Sequence, residues 1–459
     1  MIRFISFVFA ALIASPTFAQ RFEINPSQPV LIGEPITIKL FGLPANQIVN
    51  ITAERVLADS QTGKFTLHRA EATFVVPNDG SLDLSQATPK NGSYKRSDPR
   101  GLFWSMQPSP EPVGADRKPM EVFLKAHLVV NDKPTDNQLI ASSVIKFIDA
   151  LPSVKSENVE RFPGAVFAVP SIGDLAPTKR PAIILLGGSE GGAQVTRGAA
   201  RLASYGFAVL ALPYYSPPDW STRKAELPSL PATFTDIPIE RLNEARAWLQ
   251  TRSDVDSTRI ALYGTSKGAE FALLAAVHFA WVTSIVAVVP TDVVWEGWGI
   301  NIASATRSSF SLNGKPFAFV PYADFEQELK GFQTGEIVRI RRPHDNGRAA
   351  NPQRAASARI PVEKIQGSIL LIAGQDDQLW NSGMMAQNIA ERRAAQNLDT
   401  VLLNYSDAGH FLGGSGYSPT TQYDVGLSKA GGTPEGNARA QADAWPKTIA
   451  FLKRTLGAR

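Results

Sequence analysis

The sequence predicts two domains: an antiparallel β-sandwich, then a larger α/β domain on a mostly parallel sheet. Three observations predict this. The chain has 459 residues, more than one ordinary domain needs. From Pro29 to about Ile148 it reads as short strands broken by turns, with no long helical period. Beyond "LPSVKSENVERFPG" the pattern changes to apolar strands alternating with helical segments, which indicates a parallel sheet covered on both faces.

The elements follow in order. "MIRFISFVFAALIASPTFAQ" carries a basic residue, an apolar stretch too short for a membrane span, and a small-residue site. Residues 1–19 are therefore expected to be a secretory signal peptide, cut after Ala19, leaving an exported, periplasmic or secreted protein with no stable membrane span. In residues 20–150, "EPITIKLFGLP" alternates Ile36, Ile38 and Leu40, and "VFLKAHLVV" and "SSVIKFI" are further β-prone runs. The turns "NDG", "KNGS" and "SDPRG" separate them, giving an immunoglobulin-like sandwich of about seven strands. In residues 151–459, "AIILLGG", "FAVLALPYY", "RIALYG", "SIVAVVP", "SILLIAG" and "TVLLNY" are the strands. Helical runs lie between them, and a last amphipathic stretch spans Pro434 to Leu456. Residues 295–360, rich in Ser, Asn, Arg and Pro, interrupt the alternation and read as an inserted cap or loop.

Composition narrows the function. Apolar residues make up 44% and charged residues 19%, as in globular proteins, and the formal charge is only +4. Without a long Lys/Arg run, nucleic-acid binding has no compositional support. The absence of cysteine removes disulfides, thiolate metal sites and any thiol nucleophile. A small-molecule partner remains; chain composition does not set an oligomeric state.

"LYGTSKGAE" supplies the chemistry. Gly264-Thr265-Ser266-Lys267-Gly268 fits Gly-x-Ser-x-Gly, with a strand before it and a helix-forming run after it. That is the setting of a nucleophile elbow, where the serine adopts a strained backbone that lifts its hydroxyl above the sheet edge. A serine needs a base. Of the five histidines, His68 and His127 lie in the β-rich half, His278 lies about three turns along the helix leading away from Ser266, and His344 lies in the insertion. His410, in "YSDAGHF" after the strand "TVLLNY", is the expected base. "ILLIAGQDD" supplies the orienting carboxylate, Asp377 by preference, with Asp376 and Asp407 as alternatives. The order Ser, Asp, His is that of α/β-hydrolases. Backbone donors for a developing oxyanion are expected from Lys267 and from Gly188 or Ser189 in "GGSEGG". As a phosphate loop, that segment lacks the Lys-Ser/Thr pair. Such chemistry needs no metal or organic cofactor. "VRIRRP" places Arg341 and Arg342 as candidates to hold a phosphorylated leaving group.

The stretches "GSYKRSDPRGLFWSMQP", "LLGGSEGG", "YGFAVLALPYY", "GTSKGAE", "GQDDQLWNS", "DAGHF" and "AQADAWPKTIAFL" together resemble the acyl-CoA thioesterase and bile acid-CoA:amino acid N-acyltransferase family. The resemblance runs from about residue 25 to the end. It implies an N-terminal β-sandwich, a C-terminal α/β-hydrolase domain, and nucleophile, acid and base at Ser266, Asp377 and His410. Transferases of that family resemble one another in using cysteine as nucleophile, so serine here implies hydrolysis of an acyl thioester. Export implies a substrate other than cytoplasmic acyl-CoA. The rival readings are an exported carboxylesterase or dienelactone-hydrolase-like esterase, an acyl-CoA:amine N-acyltransferase, and a non-catalytic binding protein.

Overall fold

A computed structural model describes residues 19–58, 63–130, 133–171, 179–219, 222–299, 306–424 and 426–457. The expected signal peptide, apart from Ala19, lies outside the described residues. The chain divides into two compact units. The first comprises residues up to Val30, Pro35–Leu102 and Pro108–Lys146, and the second comprises Leu31–Glu34, Phe103–Gln107 and Phe147–Arg459.

The first unit is built on antiparallel pairing. The long strand Ile48–Ala58 pairs with Phe65–Val75 on one side and Glu121–Val130 on the other. A separate small sheet joins Arg21–Asn25, Thr37–Phe41 and Leu82–Asp83. The period-2 pattern of "ITIKL" sets its register, because Ile36, Ile38 and Leu40 are all buried while the residues between them are more open. His68 and His127 sit in this unit, paired across the ladder with Arg55 and Asn50 respectively.

The second unit carries, among the described residues, an eight-stranded sheet. Its strands are β1 (Val154–Asn158), β2 (Val166–Pro170), β3 (Arg180–Leu186), β4 (Ala208–Ala211), β5 (Val255–Thr265), β6 (Val282–Val288), β7 (Ser368–Gly374) and β8 (Thr400–Tyr405). Their spatial order is β1-β2-β4-β3-β5-β6-β7-β8. The pairs β1–β2 and β2–β4 are antiparallel, and β3 through β8 are parallel. Both faces are buried, which is why these strands read as continuous apolar runs. Ile184 and Leu262 enter one core, and Ile183, Ala261 and Tyr263 enter the other.

Helices cover each face. Helix α1 (Ala199–Ala203) and the long α6 (Pro434–Leu456) close the face of Ile183. Helices α2 (Arg241–Gln250), α3 (Lys267–His278) and α5 (Ser382–Ala394) close the face of Ile184. Helix α6 begins at Thr433, whose side chain accepts the Gly436 amide at 2.9 Å, with Pro434 at its first position. It ends at Gly457 in the left-handed conformation, φ 60°. No helix among the described residues is long and apolar enough to cross a membrane.

Two features of the second unit were not visible in the strand-helix alternation. Residues 295–360 hold a short strand, Phe310–Leu312, and helix α4 (Arg341–Ala350), with 300–305 outside the described residues. The segment Phe103–Gln107, from "GLFWSM", packs within the second unit. Phe103 lies edge-on to Tyr417 at 5.2 Å, and the Trp104 and Met106 carbonyls accept from the Thr420 amide and the Thr421 hydroxyl.

Candidate active site

The parallel strands deliver the candidate residues to one edge of the sheet. Strand β5 ends at Thr265 and helix α3 starts at Lys267, so Ser266 occupies the turn alone, at φ 56° and ψ −121°. A left-handed backbone on a residue with a Cβ costs roughly 1–3 kcal/mol. The surrounding structure holds it there: the Ser266 amide donates to Val288 of β6 at 2.9 Å. Gly268 is required by close approach, since a Cβ at that position would lie 2.6 Å from the Leu186 carbonyl oxygen of β3.

His410 follows β8 and is 4% exposed. Its Nε2 lies 3.0 Å from Ser266 Oγ, and its Nδ1 lies 3.0 and 2.9 Å from the two carboxylate oxygens of Asp377. A carboxylate can only accept from an imidazole, so Nδ1 carries the proton and Nε2 is free to accept from the serine hydroxyl. Asp377 is fully buried and takes further hydrogen bonds from the Leu379 amide at 2.9 Å, the Trp380 amide at 3.2 Å and the Ser382 hydroxyl at 2.6 Å. Four donors fix this carboxylate in one orientation. Asp376 turns elsewhere, accepting from the Gly432 amide and the Gln378 side chain. Asp407 pairs with Arg439 at 3.8 Å, with both side chains largely exposed.

Ser266 and His410 open on a cavity of about 740 Å³. Its walls include Trp298, Tyr322, Phe325, Leu329, Ile340, Leu379 and Trp380. Ser189 and Lys267 also reach it. The amide of Gly188, one of the two expected donors of the "GGSEGG" loop, donates to Glu190 Oε1 at 2.8 Å. A glutamate two residues on takes it, a contact that spacing alone does not reveal. The neighbouring Gly187 carbonyl is held by the Tyr214 hydroxyl at 2.7 Å.

The side chain of Lys267 lies buried beneath the site. Its Nζ donates to Glu270 Oε2 and Ser309 Oγ, each at 2.7 Å, and sits over the Phe234 ring at 5.2 Å. Glu270 Oε1 accepts the Trp295 amide at 3.1 Å. Burial pushes the Lys267 ammonium down and the Glu270 carboxyl up, against the pull of their own ion pair.

Arg341 and Arg342 are not among the described residues of the cavity wall. Arg341 Nε pairs with Asp345 at 3.0 Å and its Nη1 donates to the Asp377 carbonyl at 3.1 Å. Arg342 pairs with Glu328 at 3.3 Å. Their guanidinium groups are committed to protein partners, and Arg341 braces the loop that carries Asp377. Sequence reasoning set aside His344 because no strand end fixes it, yet it lines the cavity. Helix α4 fixes it instead, through a 2.8 Å hydrogen bond between Nδ1 and the Ile340 carbonyl.

This sheet order, with an elbow serine after β5 and a histidine after β8, is that of an α/β-hydrolase. The family description "Acyl-CoA thioester hydrolase/BAAT N-terminal region" matches residues 33–161, and "BAAT / Acyl-CoA thioester hydrolase C terminal" matches residues 237–458. The chain belongs to the acyl-CoA thioester hydrolase/BAAT family and is an acyl-CoA thioester hydrolase-like enzyme. It is 29% identical to mouse acyl-coenzyme A thioesterase 6 over 95% of this chain and 97% of the relative. It is 29% identical to rat acyl-coenzyme A amino acid N-acyltransferase 2, over 93% and 96%. Among solved structures, a puromycin hydrolase aligns with a TM-score of 0.42 at 14% identity, covering 88% of this chain and 60% of that one. A Pyrococcus furiosus esterase aligns with a TM-score of 0.38 at 18% identity, covering 66% and 92%.

Proposed function

We propose that this enzyme is a serine hydrolase that cleaves acyl thioesters through an acyl-enzyme on Ser266. The observation that carries the reading is the hydrogen-bonded line from Ser266 Oγ through His410 to buried Asp377. His410 Nε2 takes the hydroxyl proton as Oγ attacks the acyl carbonyl, and Asp377 stabilises the imidazolium that forms. The Lys267 amide, at the start of α3, and the Ser189 amide are the proposed donors to the tetrahedral oxyanion. As it collapses, the carbon–sulfur bond breaks and the imidazolium gives its proton to the leaving thiolate. Water, deprotonated by the same imidazole, then releases the acid and restores the serine.

Serine favours this outcome over transfer to an amine, because an oxyester acyl-enzyme is less readily passed on than a thioester. The N-terminal unit completes the proposal as an immunoglobulin-like sandwich, and cleavage after Ala19 would export the protein. The test is a panel of acyl-CoA thioesters against matched 4-nitrophenyl esters, with glycine or taurine added in parallel. Higher kcat/KM on the thioesters, with free acid as product, supports the reading. Higher kcat/KM on the esters would favour the esterase alternative, and amide product would favour acyl transfer.

A further inference from the structure

The cavity above Ser266 is largely apolar, yet two acceptors on residues of its wall have no hydrogen-bond partner among the described residues. The first is on His344. Its Nδ1 meets the Ile340 carbonyl at 2.8 Å, and a carbonyl can only accept, so Nδ1 holds the proton. Burial drives the pKa of this imidazole down to about 3, with the charge of Lys267 acting in the same direction. The ring is therefore neutral and Nε2 bears a lone pair. Trp295, Tyr322 and Trp380 pack around the ring, at 4.6, 4.8 and 5.7 Å between centroids, and hold its orientation. The second acceptor is on Glu296. Its Oε2 accepts the Tyr322 amide at 2.8 Å, while its Oε1 meets no donor among the described residues. Both residues are 6% exposed, and both line the cavity.

An acyl chain of plain hydrocarbon entering this cavity would strip water from both acceptors and return nothing. A chain bearing a hydroxyl would restore the lost hydrogen bond in a site where the packing has fixed the acceptor beforehand. At His344 the charge of Lys267 disfavours a second cation, while Asp324 and Glu326 elsewhere in the wall make the ω-amino ester the decisive control. We infer that the acyl group this enzyme takes carries a hydroxyl beyond the reacting carbonyl, which donates its one O–H proton to His344 Nε2 or to Glu296 Oε1. The inference rests on the serine-hydrolase reading above and names the substrate class for that same cavity.

The test uses 4-nitrophenyl esters of hexanoate, octanoate and decanoate, each paired with its ω-hydroxy and ω-amino counterparts, on the full-length protein. At one chain length the ω-hydroxy ester should exceed the plain ester in kcat/KM by at least roughly tenfold, since a site built to bond a hydroxyl rejects the analogue lacking it. At least one of His344→Phe and Glu296→Met should bring that ratio toward one, with His344→Leu replacing the first variant if it does not fold. Equal turnover of plain and hydroxy esters at every length overturns the inference while leaving the hydrolase reading intact. So does a ratio that survives both substitutions, or a preference for the ω-amino ester. If no ester is turned over and a fluorophosphonate fails to label Ser266, the hydrolase reading itself falls and takes this inference with it.

Discussion

The imidazole of His410 stands 3.0 Å from the hydroxyl of Ser266, although 144 positions separate the two residues along the chain. Parallel strands explain how. Strands β5 and β8 run in the same direction, with β6 and β7 between them, so the loops leaving their carboxyl ends emerge on one side of the sheet. The glycine-framed turn at 264–268 raises the hydroxyl, and the loop after β8 brings the imidazole to it.

The carboxylates of Asp376 and Asp377 should separate sharply on mutation. Asp377→Asn removes the charge that stabilises the imidazolium and favours the wrong tautomer, lowering kcat by about 10⁴-fold. Asp376→Asn alters only contacts to Gly432 and Gln378, and should leave kcat within about tenfold, allowing for a small shift of the shared turn. Steady-state kinetics on both variants checks this.

Lys267 and Glu270 are buried as a pair, so each single substitution strands the other's charge. Lys267→Met and Glu270→Leu should each destabilise the protein by about 3–5 kcal/mol, and the double variant should recover most of that loss. Urea unfolding of the four proteins gives the coupling directly. Additive losses would contradict the burial of an intact ion pair.

His344 gives stability a pH dependence. Unfolded, it binds a proton below its ordinary value of 6.5; folded, it does so only below about 3. The unfolded state therefore holds more protons between these values, and stability falls as pH drops through that window. The slope from this residue is about 1.4 kcal/mol per pH unit, and its contribution is fully present above pH 6.5. The stability difference between wild type and His344→Phe, measured by denaturant unfolding, should therefore change by on the order of 1.4 kcal/mol per unit between pH 4 and 6, and a flat difference would contradict it.

Gly268→Ala tests the elbow. The added methyl would press on the Leu186 and Gly187 carbonyl oxygens of the neighbouring strand, which are backbone and cannot swing aside. A cost of about 1–3 kcal/mol and a fall in kcat are expected, because the overpacked turn displaces Ser266. Thermal unfolding and single-turnover kinetics read the two effects separately.

How much of this is legible in the sequence depends on whether a feature follows an apolar strand. "RIALYG", "SILLIAG" and "TVLLNY" each end a few residues before a candidate, so order points to Ser266 and His410, while Asp376, Asp377 and Asp407 all satisfy it and only Asp377 is preferred by its turn. The long final helix is equally readable, since its apolar period, Thr433 cap and Gly457 stop all agree. His344 is not readable: "RRPHDNGRAA" contains proline and glycine, and its helix forms because tertiary packing overrides propensity. The burial of Lys267 and Glu270 is not readable either, because Trp295 and Ser309 approach them from the 295–360 segment. Likewise Phe103–Gln107 belongs with the second unit through contacts to residues more than three hundred positions away, which no local pattern encodes.

The most direct measurement is covalent labelling with a fluorophosphonate, followed by peptide mass spectrometry of the full-length protein. A single adduct on the peptide carrying Ser266 is expected, lost in Ser266→Ala and slowed by roughly 10³-fold or more in His410→Ala. An adduct on another residue, or labelling at the native rate once His410 is gone, would contradict activation of this serine by this histidine.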